Sequence, residues 1–268
     1  MRSGLISVGV LLLVIGALRA ADLEALFVQA EHDPKALVPL LRAGSAAVRT
    51  LDDKAAVALA LRLDPIAQQV LWSATTVPGA ELVGRKRVTV VKGDTLSGLA
   101  RRHQVGLDLV QRFNPKAGVL RIGQRVTVLD AKAHPLSLTV DRQHFVVLLW
   151  LGDILAACRP AGLGAAGHET PLGTTKVALR VRHPEWRDPD TGRILPPNDP
   201  DNVLGGYWLG FAPGSDQRFK SIGIHGYTKE ASAEWLGKAA SHGCVRLVQS
   251  DVADVFAVAL PGTPVTVR

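Results

Sequence analysis

A cysteine and two histidines in the segment IHGYTKEASAEWLGKAASHGCVRL, residues 224–247, could together perform acyl transfer. A cysteine attacks as its thiolate, and at an ordinary pKa of about 8.5 only a small fraction of the thiol is ionised at neutral pH. An imidazole can accept the thiol proton and later return it to a leaving group. His242 stands two residues before Cys244, whereas His225 would reach it from a neighbouring strand. The pattern predicts a cysteine nucleophile with a histidine base.

Gly243, between His242 and Cys244, fits the same chemistry. A residue without a side chain lets the backbone turn sharply before the nucleophile and lets a substrate carbonyl approach. The N–H groups around Gly243 and Cys244 could then stabilise an oxyanion, a contribution often worth about 3 kcal/mol per donor. We therefore expect Gly243 to be part of the catalytic site.

Length and charge limit the classes of protein that this chain can belong to. With 268 residues it can bury the cores of two small domains. Its 31 lysines and arginines exceed its 24 acidic residues, a net charge of +7 that favours anionic surroundings or substrates. Nucleic acid is an unfavoured partner because no basic cluster is interleaved with aromatic residues. No cofactor and no metal are expected.

The first 21 residues have the pattern of a secretory signal peptide. Met1 and Arg2 give a positive start, an uncharged apolar stretch follows over residues 5–18, and small residues at 17–21 offer a cleavage site. The apolar stretch is shorter than the roughly 20 residues that a spanning helix prefers. An uncleaved membrane anchor is the alternative, and only then would membrane contact be expected. Both alternatives place the protein in the periplasm or cell envelope.

Three other roles for Cys244 compete with that of a nucleophile. An even cysteine count in an exported protein favours a disulfide with Cys158, although a chain of this size does not need one. A zinc site with His225 and His242 is a second possibility, but the spacing matches no compact ligand signature. Cys244 could also be an inert core residue, which the neighbouring Ser, His and Gly argue against. The nucleophile is favoured over all three.

Residues 22–84 are rich in Ala and Leu at helical spacing and predict two to four short helices. Asp33 with Pro34, and Asp52 with Asp53, have the composition of helix starts. No residue pattern here suggests chemistry, so we expect a packing or docking element.

Residues 86–130 predict a strand, two short helices over 96–103 and 107–113, and a final strand over 125–128. This order, with VKGDTLSGLA, FNP and IGQRV in place, resembles the lysin-motif (LysM) domain. The family binds N-acetylglucosamine-containing glycans, chiefly peptidoglycan and chitin. The alternative role for Asp94 and Thr95 is to cap the first helix. The resemblance implies a glycan groove formed by Gly93, Asp94, Thr95, Leu96, Asn114, Pro115, Leu120 and Ile122.

The C-terminal half, residues 135–268, predicts a mainly β sandwich or barrel. Apolar runs predict strands at 136–140, 145–151, 154–158, 175–181, 207–211, 221–224 and 264–267, and helices are expected only at 231–240 and 251–259. The polar stretch 182–206 is too long for a tight turn, and we expect it to form a lid. The predicted fold class is therefore α+β multidomain: a helical segment, a small βααβ module and a mainly β C-terminal domain.

The IHGY and SHGCVRL motifs of this half resemble the active-site signature of the L,D-transpeptidases, the cysteine enzymes of cell-wall crosslinking. ETPLG, NVLGG and GTPVTV follow in the family's order, while Val203 stands where a proline is common. The resemblance implies that Cys244 is the nucleophile, His225 the general base, His242 a supporting residue and Gly243 the turn. For substrate binding it implies Arg246, Ser241, Gly226 and Tyr227.

Two of these positions have alternative roles. Arg246 could instead form an ion pair with an acid such as Asp251, and Trp208, a candidate for the substrate groove, could serve packing alone.

The resemblance implies an enzyme that forms peptidoglycan crosslinks, or attaches a protein to peptidoglycan, through a cysteine acyl-enzyme after D-Ala leaves a tetrapeptide stem. The expected partners are peptidoglycan stems and strands, with an envelope lipoprotein as a second kind of acceptor. Water as acceptor would make the protein an L,D-carboxypeptidase or a crosslink-cleaving peptidase. A non-catalytic peptidoglycan-binding protein is the third hypothesis.

Overall fold

The computed structural model describes residues 20–51, 53–215 and 217–268, so the predicted signal peptide lies almost wholly outside the described residues. Three helices come first: α1 (Ala20–His32), α2 (Leu37–Val48) and α3 (Asp53–Ala67). Asp33 accepts a hydrogen bond from the Lys35 N–H and caps a 3₁₀ turn over Pro34–Ala36. A π-helical turn over Gln68–Trp72 and a 3₁₀ turn over Ala80–Val83 complete this region. The predicted helical segment is confirmed.

Residues 85–129 form the βααβ module, in the order that the sequence predicts. An antiparallel pair, in which Arg87 lies opposite Thr127, packs against two helices. The Thr95 side chain caps the first of them by accepting a hydrogen bond from the Gly98 N–H at 3.0 Å. The elements are β1 (Arg85–Thr89), α4 (Leu96–Arg102), α5 (Leu107–Phe113) and β2 (Arg125–Leu129).

The C-terminal half is a mostly β sandwich with two helices. Its strands are β3 (Leu136–Asp141), β4 (Val146–Leu151), β5 (Ile154–Pro160), β6 (Leu163–Gly164), β7 (Gly173–Arg182), β8 (Trp186–Arg187), β9 (Ile194–Leu195), β10 (Tyr207–Phe211), β11 (Gly223–Gly226), β12 (Ala239–Ser241), β13 (Val245–Leu247) and β14 (Pro264–Val267). The helices are α6 (Ser232–Trp235) and α7 (Gln249–Val258).

Eight of these strands are connected in the order β13-β11-β10-β7-β14-β3-β4-β5. The long strand β7 links the two halves, because its first residues pair with β14 and its last residues pair with β10. Buried side chains from both halves, among them Leu138, Val177 and Ile224, belong to one core. The eight strands, from β13 at one end to β5 at the other, therefore curve around one core and do not form a flat sheet.

Two sequence predictions are wrong in this half. Residues 231–240 were expected to be helical, but only Ser232–Trp235 is, and Ala239–Ser241 instead pairs with β6 as a parallel strand. The strand predicted over 221–224 lies at Gly223–Gly226. Ser221 has a φ of +62°, a left-handed conformation that cannot continue a strand, so the strand begins after it.

The N-terminal helices pack over β5, the last strand in this order. Leu40 and Leu63 pack with Leu148, Leu155 and other residues of β4 and β5. The free edge of β5 finds its hydrogen-bond partners in helical side chains: Cys158 N–H donates to Asp64 at 2.8 Å, Leu155 N–H to Ser45 Oγ at 2.9 Å, and Trp72 Nε1 donates to the Ala156 carbonyl at 2.7 Å. The helices therefore pack on the sheet and protect an edge that would otherwise be open to aggregation.

The βααβ module contacts both of its neighbours. Arg85 is buried beneath it and donates to the carbonyls of Val70, Ala74 and Thr75, while its guanidinium lies 4.3 Å from the Phe113 ring. On the other side, the Gly106 N–H donates to the Ala257 carbonyl of α7 at 3.1 Å, and Arg112 pairs with Asp254 at 2.6 Å. Within the described residues, no helix is both long and apolar enough to cross a membrane.

Candidate active site

Strands β11 and β13 place the predicted catalytic residues on one face. His225 lies beside Arg246 in a parallel pair, while Ile224 and Val245 lie beside each other and are fully buried. Because side chains alternate between the faces of a strand, Cys244 extends from the same face as Arg246 and His225. The apolar members of the motif thus fill the core, and its reactive members face away from it.

That face lines a cavity of about 680 Å³. His225, His242, Cys244 and Arg246 border it, as does Trp208, whose ring centroid is 5.8 Å from that of His225. Trp208 is the residue opposite His225 on β10. It therefore both packs against its neighbours, as expected, and forms part of the cavity wall.

The segment predicted to be a lid forms another wall of this cavity. Trp186, Val203 and Leu204 belong to it and border the space. It contains a short hairpin of β8 and β9, and the buried Asn202 amide donates to the carbonyls of Pro184 and Pro196 at 2.9 and 3.0 Å. The segment is therefore an ordered wall.

His225 is buried and has a defined tautomer. Its Nδ1 forms a short hydrogen bond with the Gly226 carbonyl, which can only accept, so Nδ1 carries the proton. Nε2 is then the basic nitrogen. Burial lowers the pKa of His225 to about 4, so the ring is neutral at physiological pH and free to accept a proton.

Cys244 is half-buried and its thiol is protonated at rest. Its Sγ lies 3.6 Å from the Ser221 carbonyl, an acceptor that favours a proton on the sulfur. Burial raises the pKa of Cys244 to about 11, although the Gly223 N–H and the Arg246 charge both act to lower it. Cys158 is also a free thiol, buried in β5, and its pKa is raised to about 12. The alternative disulfide between these two cysteines is absent.

The resting site therefore holds a neutral thiol and a neutral imidazole. Such a pair reacts by general-base catalysis, in which the imidazole takes the proton as the sulfur attacks. A preformed thiolate–imidazolium pair would need the two pKa values in the opposite order.

Gly243 has the conformation that its position requires. Its φ is +108°, and a Cβ there would lie 2.8 Å from Ile222 Cδ1. Its N–H is already used, because it donates to Ser241 Oγ at 3.1 Å, and that hydroxyl donates to the Cys244 carbonyl at 2.6 Å. Ser241 thus orders the turn, and the expectation that the Gly243 N–H serves an oxyanion is wrong. The N–H of Cys244 itself is left as the candidate donor.

His242 is exposed at the rim of the cavity. Its Nε2 lies 3.6 Å from Asp190 Oδ1 of the lid segment, and its ring contacts His168 edge-on at 5.1 Å. The histidine on the shared face is His225, and His242 connects the turn before Cys244 to the lid segment.

Arg246 is held mainly by a ring and a carbonyl: no carboxylate of the described residues forms an ion pair with it, and Glu230 acts on its charge only from a longer distance. Its guanidinium lies 3.7 Å from the Tyr227 ring centroid and donates to the Ala240 carbonyl at 2.9 Å. The alternative ion pair with Asp251 is wrong, because Asp251 lies 3.3 Å from Arg159 instead. Burial lowers the pKa of Arg246, yet an arginine remains charged at neutral pH.

Gly226 and Tyr227 contact His225 and Arg246. The Gly226 carbonyl accepts a hydrogen bond from His225 Nδ1–H, and a Cβ at Gly226 would lie 2.3 Å from Gln249 Nε2 of α7. Tyr227 contacts Trp235 edge-on, with ring centroids 5.6 Å apart, and supports Arg246 from its other side. Both residues therefore hold side chains predicted for the site, Gly226 that of His225 and Tyr227 that of Arg246.

Sequence reasoning missed Ser221 and Trp186. Nothing in the sequence marks Ser221, because its role lies in a left-handed backbone that aims its carbonyl at Cys244. Trp186, a large apolar residue inside a polar segment, was a signal that could have been used.

In the βααβ module, most of the predicted groove side chains already have partners. Asp94 accepts from Val91 N–H at 3.0 Å and from Arg102 at 2.6 Å, and Asn114 bonds to the backbone of Thr127. Leu96 and Leu120 pack against the core, Gly93 turns with a φ of +89°, and Pro115 is exposed. Ile122 is 73% exposed. Backbone and apolar surface, more than polar side chains, are therefore free for a ligand here.

Comparison with known proteins identifies the families of two regions of the chain. Residues 136–267 match the family model of the L,D-transpeptidase catalytic domain (YkuD), and residues 88–128 match the LysM domain. The chain is 30% identical over 220 residues to the Escherichia coli protein named "Probable L,D-transpeptidase YbiS", a match that covers 72% of this chain and 68% of that protein. This chain belongs to the L,D-transpeptidase family.

Two further matches extend the comparison. YkuD of Bacillus subtilis is 28% identical over 184 residues, which are 67% of this chain and 96% of that protein. Among solved structures, an L,D-transpeptidase of Enterococcus faecium aligns at 21% identity with a TM-score of 0.41, covering 50% of this chain and 49% of that one. Among the residues described for this family member, no group of three or more His, Cys, Asp or Glu is arranged to hold a metal ion.

Proposed function

We propose that this protein is an exported L,D-transpeptidase that forms peptidoglycan crosslinks through an acyl-enzyme on Cys244. The observation that carries the proposal is the shared face of β11 and β13, on which His225 and Cys244 border one cavity. Family membership supports the same reaction class. The donor is a tetrapeptide stem, cleaved after its third residue, between an L-centre and a D-centre.

Acylation starts from the neutral pair. Cys244 Sγ attacks the carbonyl carbon of the third stem residue while His225 Nε2 takes the thiol proton. The Cys244 N–H donates to the oxyanion of the tetrahedral intermediate. The C–N bond to D-Ala then breaks, D-Ala leaves with the proton returned from His225, and a thioester remains on Cys244.

Deacylation repeats these steps with an acceptor amine. His225 removes a proton as the amine of a second stem attacks the thioester carbonyl, and the thiol is released with that proton. The product is a new amide crosslink. An amine of an envelope lipoprotein could take the same place, and it would attach that protein to peptidoglycan.

Arg246 binds a carboxylate of the donor stem in this proposal. Its guanidinium borders the cavity, and neither of the two contacts that hold it is an ion pair, although Glu230 acts on its charge from a longer distance. A charged, partly desolvated guanidinium beside a peptide-binding cavity favours such a ligand.

The βααβ module binds peptidoglycan and keeps the enzyme near its substrate. Its match to the LysM domain supports this assignment. Tethering to a strand raises the effective concentration of nearby stems without adding active-site contacts.

Incubation with tetrapeptide muropeptides, followed by mass analysis, tests the proposal. Dimers that have lost one D-Ala are expected. Tripeptide monomers alone would show that water is the acceptor and that the protein is an L,D-carboxypeptidase. No product at all, with strands still bound, would leave only a peptidoglycan-binding protein.

A further inference from the structure

The cavity beside Cys244 is bordered by charged side chains that the proposed reaction leaves without a role. Glu185 and Arg187 belong to the lid segment, and Lys220 belongs to the turn before β11. Arg187 donates to the Gly192 carbonyl at 3.1 Å, so one of its donors is already used. Lys220 is exposed, and its ammonium has no hydrogen bond or ion pair among the described residues. The charge of Lys220 is therefore available to a ligand of the cavity.

The turn that contains Lys220 lies against the thiol. The Lys220 N–H donates to the Gln217 carbonyl at 2.9 Å, and Ser221 follows in its left-handed conformation. The Ser221 carbonyl lies 3.6 Å from Cys244 Sγ. Lys220 is the neighbour of Ser221 and borders the same cavity, so its ammonium, on a flexible four-carbon stem, can reach the space beside the sulfur.

Lys220 and Arg246 approach Cys244 from opposite directions. The turn of Lys220 precedes β11, whereas Arg246 follows Cys244 on β13 by two residues, about 6.6 Å along a strand. The two strands are parallel, with Ile224 beside Val245, so the turn lies towards one end of the strand pair and Arg246 towards the other. A peptide bound across the sulfur therefore has a cation on each side.

The two cations differ in how firmly they are held. Arg246 is half-buried, and the Tyr227 ring and the Ala240 carbonyl fix its guanidinium. Lys220 is exposed and hydrated, and an ion pair with such an ammonium is weak and breaks readily. The fixed guanidinium suits the part of a substrate that stays on the enzyme, whereas the exposed ammonium suits the part that leaves.

We propose that Lys220 binds the terminal carboxylate of the donor stem, so that it selects stems that end one residue beyond the bond that Cys244 cleaves. The carboxylate of the terminal D-Ala lies one residue, roughly 3.5 Å, beyond the scissile carbonyl, within reach of an ammonium beside the sulfur. A longer stem places a neutral amide at the same point. The inference rests on the proposed function in taking a tetrapeptide stem as the donor.

Release of the terminal residue from two soluble substrates tests the inference. One is a tetrapeptide muropeptide that ends in D-Ala, and the other is the same muropeptide ending in D-alaninamide. The kcat/KM of the full chain is expected to be about fivefold higher for the acid than for the amide, the size of an exposed ion pair. This preference should shrink as salt rises from about 50 to 300 mM, because salt screens exposed charges.

Substitutions at Lys220 locate the effect. Lys220→Met is expected to bring the two substrates to equal kcat/KM. Lys220→Glu is expected to reverse the preference, because its carboxylate repels that of the acid. Turnover of the amide by either variant shows that it is folded.

The matched control is Lys54→Glu. It makes the same change of charge at an exposed position on α3, which packs on β5 at the other end of the sheet order from β11 and β13. The control variant is expected to keep the preference of the unmodified protein for the acid.

Three results would overturn the inference: equal kcat/KM for acid and amide in the unmodified protein, an equal loss on both substrates in Lys220→Met, or a reversed preference in Lys54→Glu. The second would mean that Lys220 acts on some other part of the stem, and the third that net charge alone sets the preference. Absence of release from either substrate by the unmodified protein would contradict the proposed function itself. Failure of the reaction can thus be distinguished from failure of carboxylate recognition.

Discussion

The neutral resting pair predicts how Cys244 reacts with iodoacetamide as pH is changed. Its pKa of about 11 leaves roughly one thiol in ten thousand ionised at pH 7. An exposed cysteine with a pKa of about 8.5 has about 3% thiolate at that pH. Alkylation of Cys244 at pH 7 is therefore expected to be about 300-fold slower than that of an exposed thiol, since only the thiolate reacts. The rate should rise about tenfold per pH unit up to about pH 10.

The assay follows alkylation of the native protein by mass spectrometry between pH 5 and 10. Cys158 should remain unlabelled while the protein stays folded, since it is buried with a pKa of about 12. His225→Gln is the informative variant. Its alkylation rate at each pH should stay within about twofold of that of the unmodified protein, because the imidazole is already neutral. The same substitution should slow acyl transfer at least 100-fold, the usual contribution of a general base.

A plateau of fast alkylation between pH 5 and 8 that disappears in His225→Gln would contradict a neutral thiol and a neutral imidazole at rest. It would mean that the two residues form an ion pair at rest, and that burial does not govern their pKa values.

Three further predictions concern residues that support the site. Arg85→Met should lower the free energy of unfolding in urea by about 3 kcal/mol, because three carbonyls lose their buried donor. Tyr227→Leu should raise the KM for tetrapeptide up to about tenfold with little change in kcat, since it removes the support under Arg246, and Tyr227→Phe should restore it. His225 has a pKa of about 4 in the folded protein, below its ordinary 6.5. The neutral ring therefore contributes up to about 3 kcal/mol to the free energy of unfolding above pH 6.5, and this contribution is lost as pH falls toward 4. Urea unfolding at both pH values should show that loss in the unmodified protein and a smaller one in His225→Gln.

Where local pattern and tertiary packing agree, the sequence was sufficient to predict the element. Helix α5 (Leu107–Phe113) and strands β10 (Tyr207–Phe211) and β14 (Pro264–Val267) lie at the predicted residues. Residues 239 and 240 were predicted as the end of a helix because Ala favours one locally, but the pairing of Ala239–Ser241 with β6 makes them part of a strand. A distant partner decided that outcome, and no local pattern records it.

The predicted active site shows the same difference between what the local sequence determines and what only the folded chain determines. The motif predicted Cys244 as nucleophile and His225 as base, because these roles require particular residue types. Their protonation at rest follows from burial and from the Ser221 and Gly226 carbonyls, which only the folded chain brings to them. Similarly, the unneutralised charge of Arg246 became visible only when Asp251 was found beside Arg159.

The most direct test of the central claim is D-Ala release from a tetrapeptide muropeptide, measured with the unmodified protein and with Cys244→Ala. The unmodified protein is expected to release D-Ala and to carry a tripeptide thioester on the peptide that contains Cys244, and the variant is expected to release none. Release that continues in Cys244→Ala would contradict that claim.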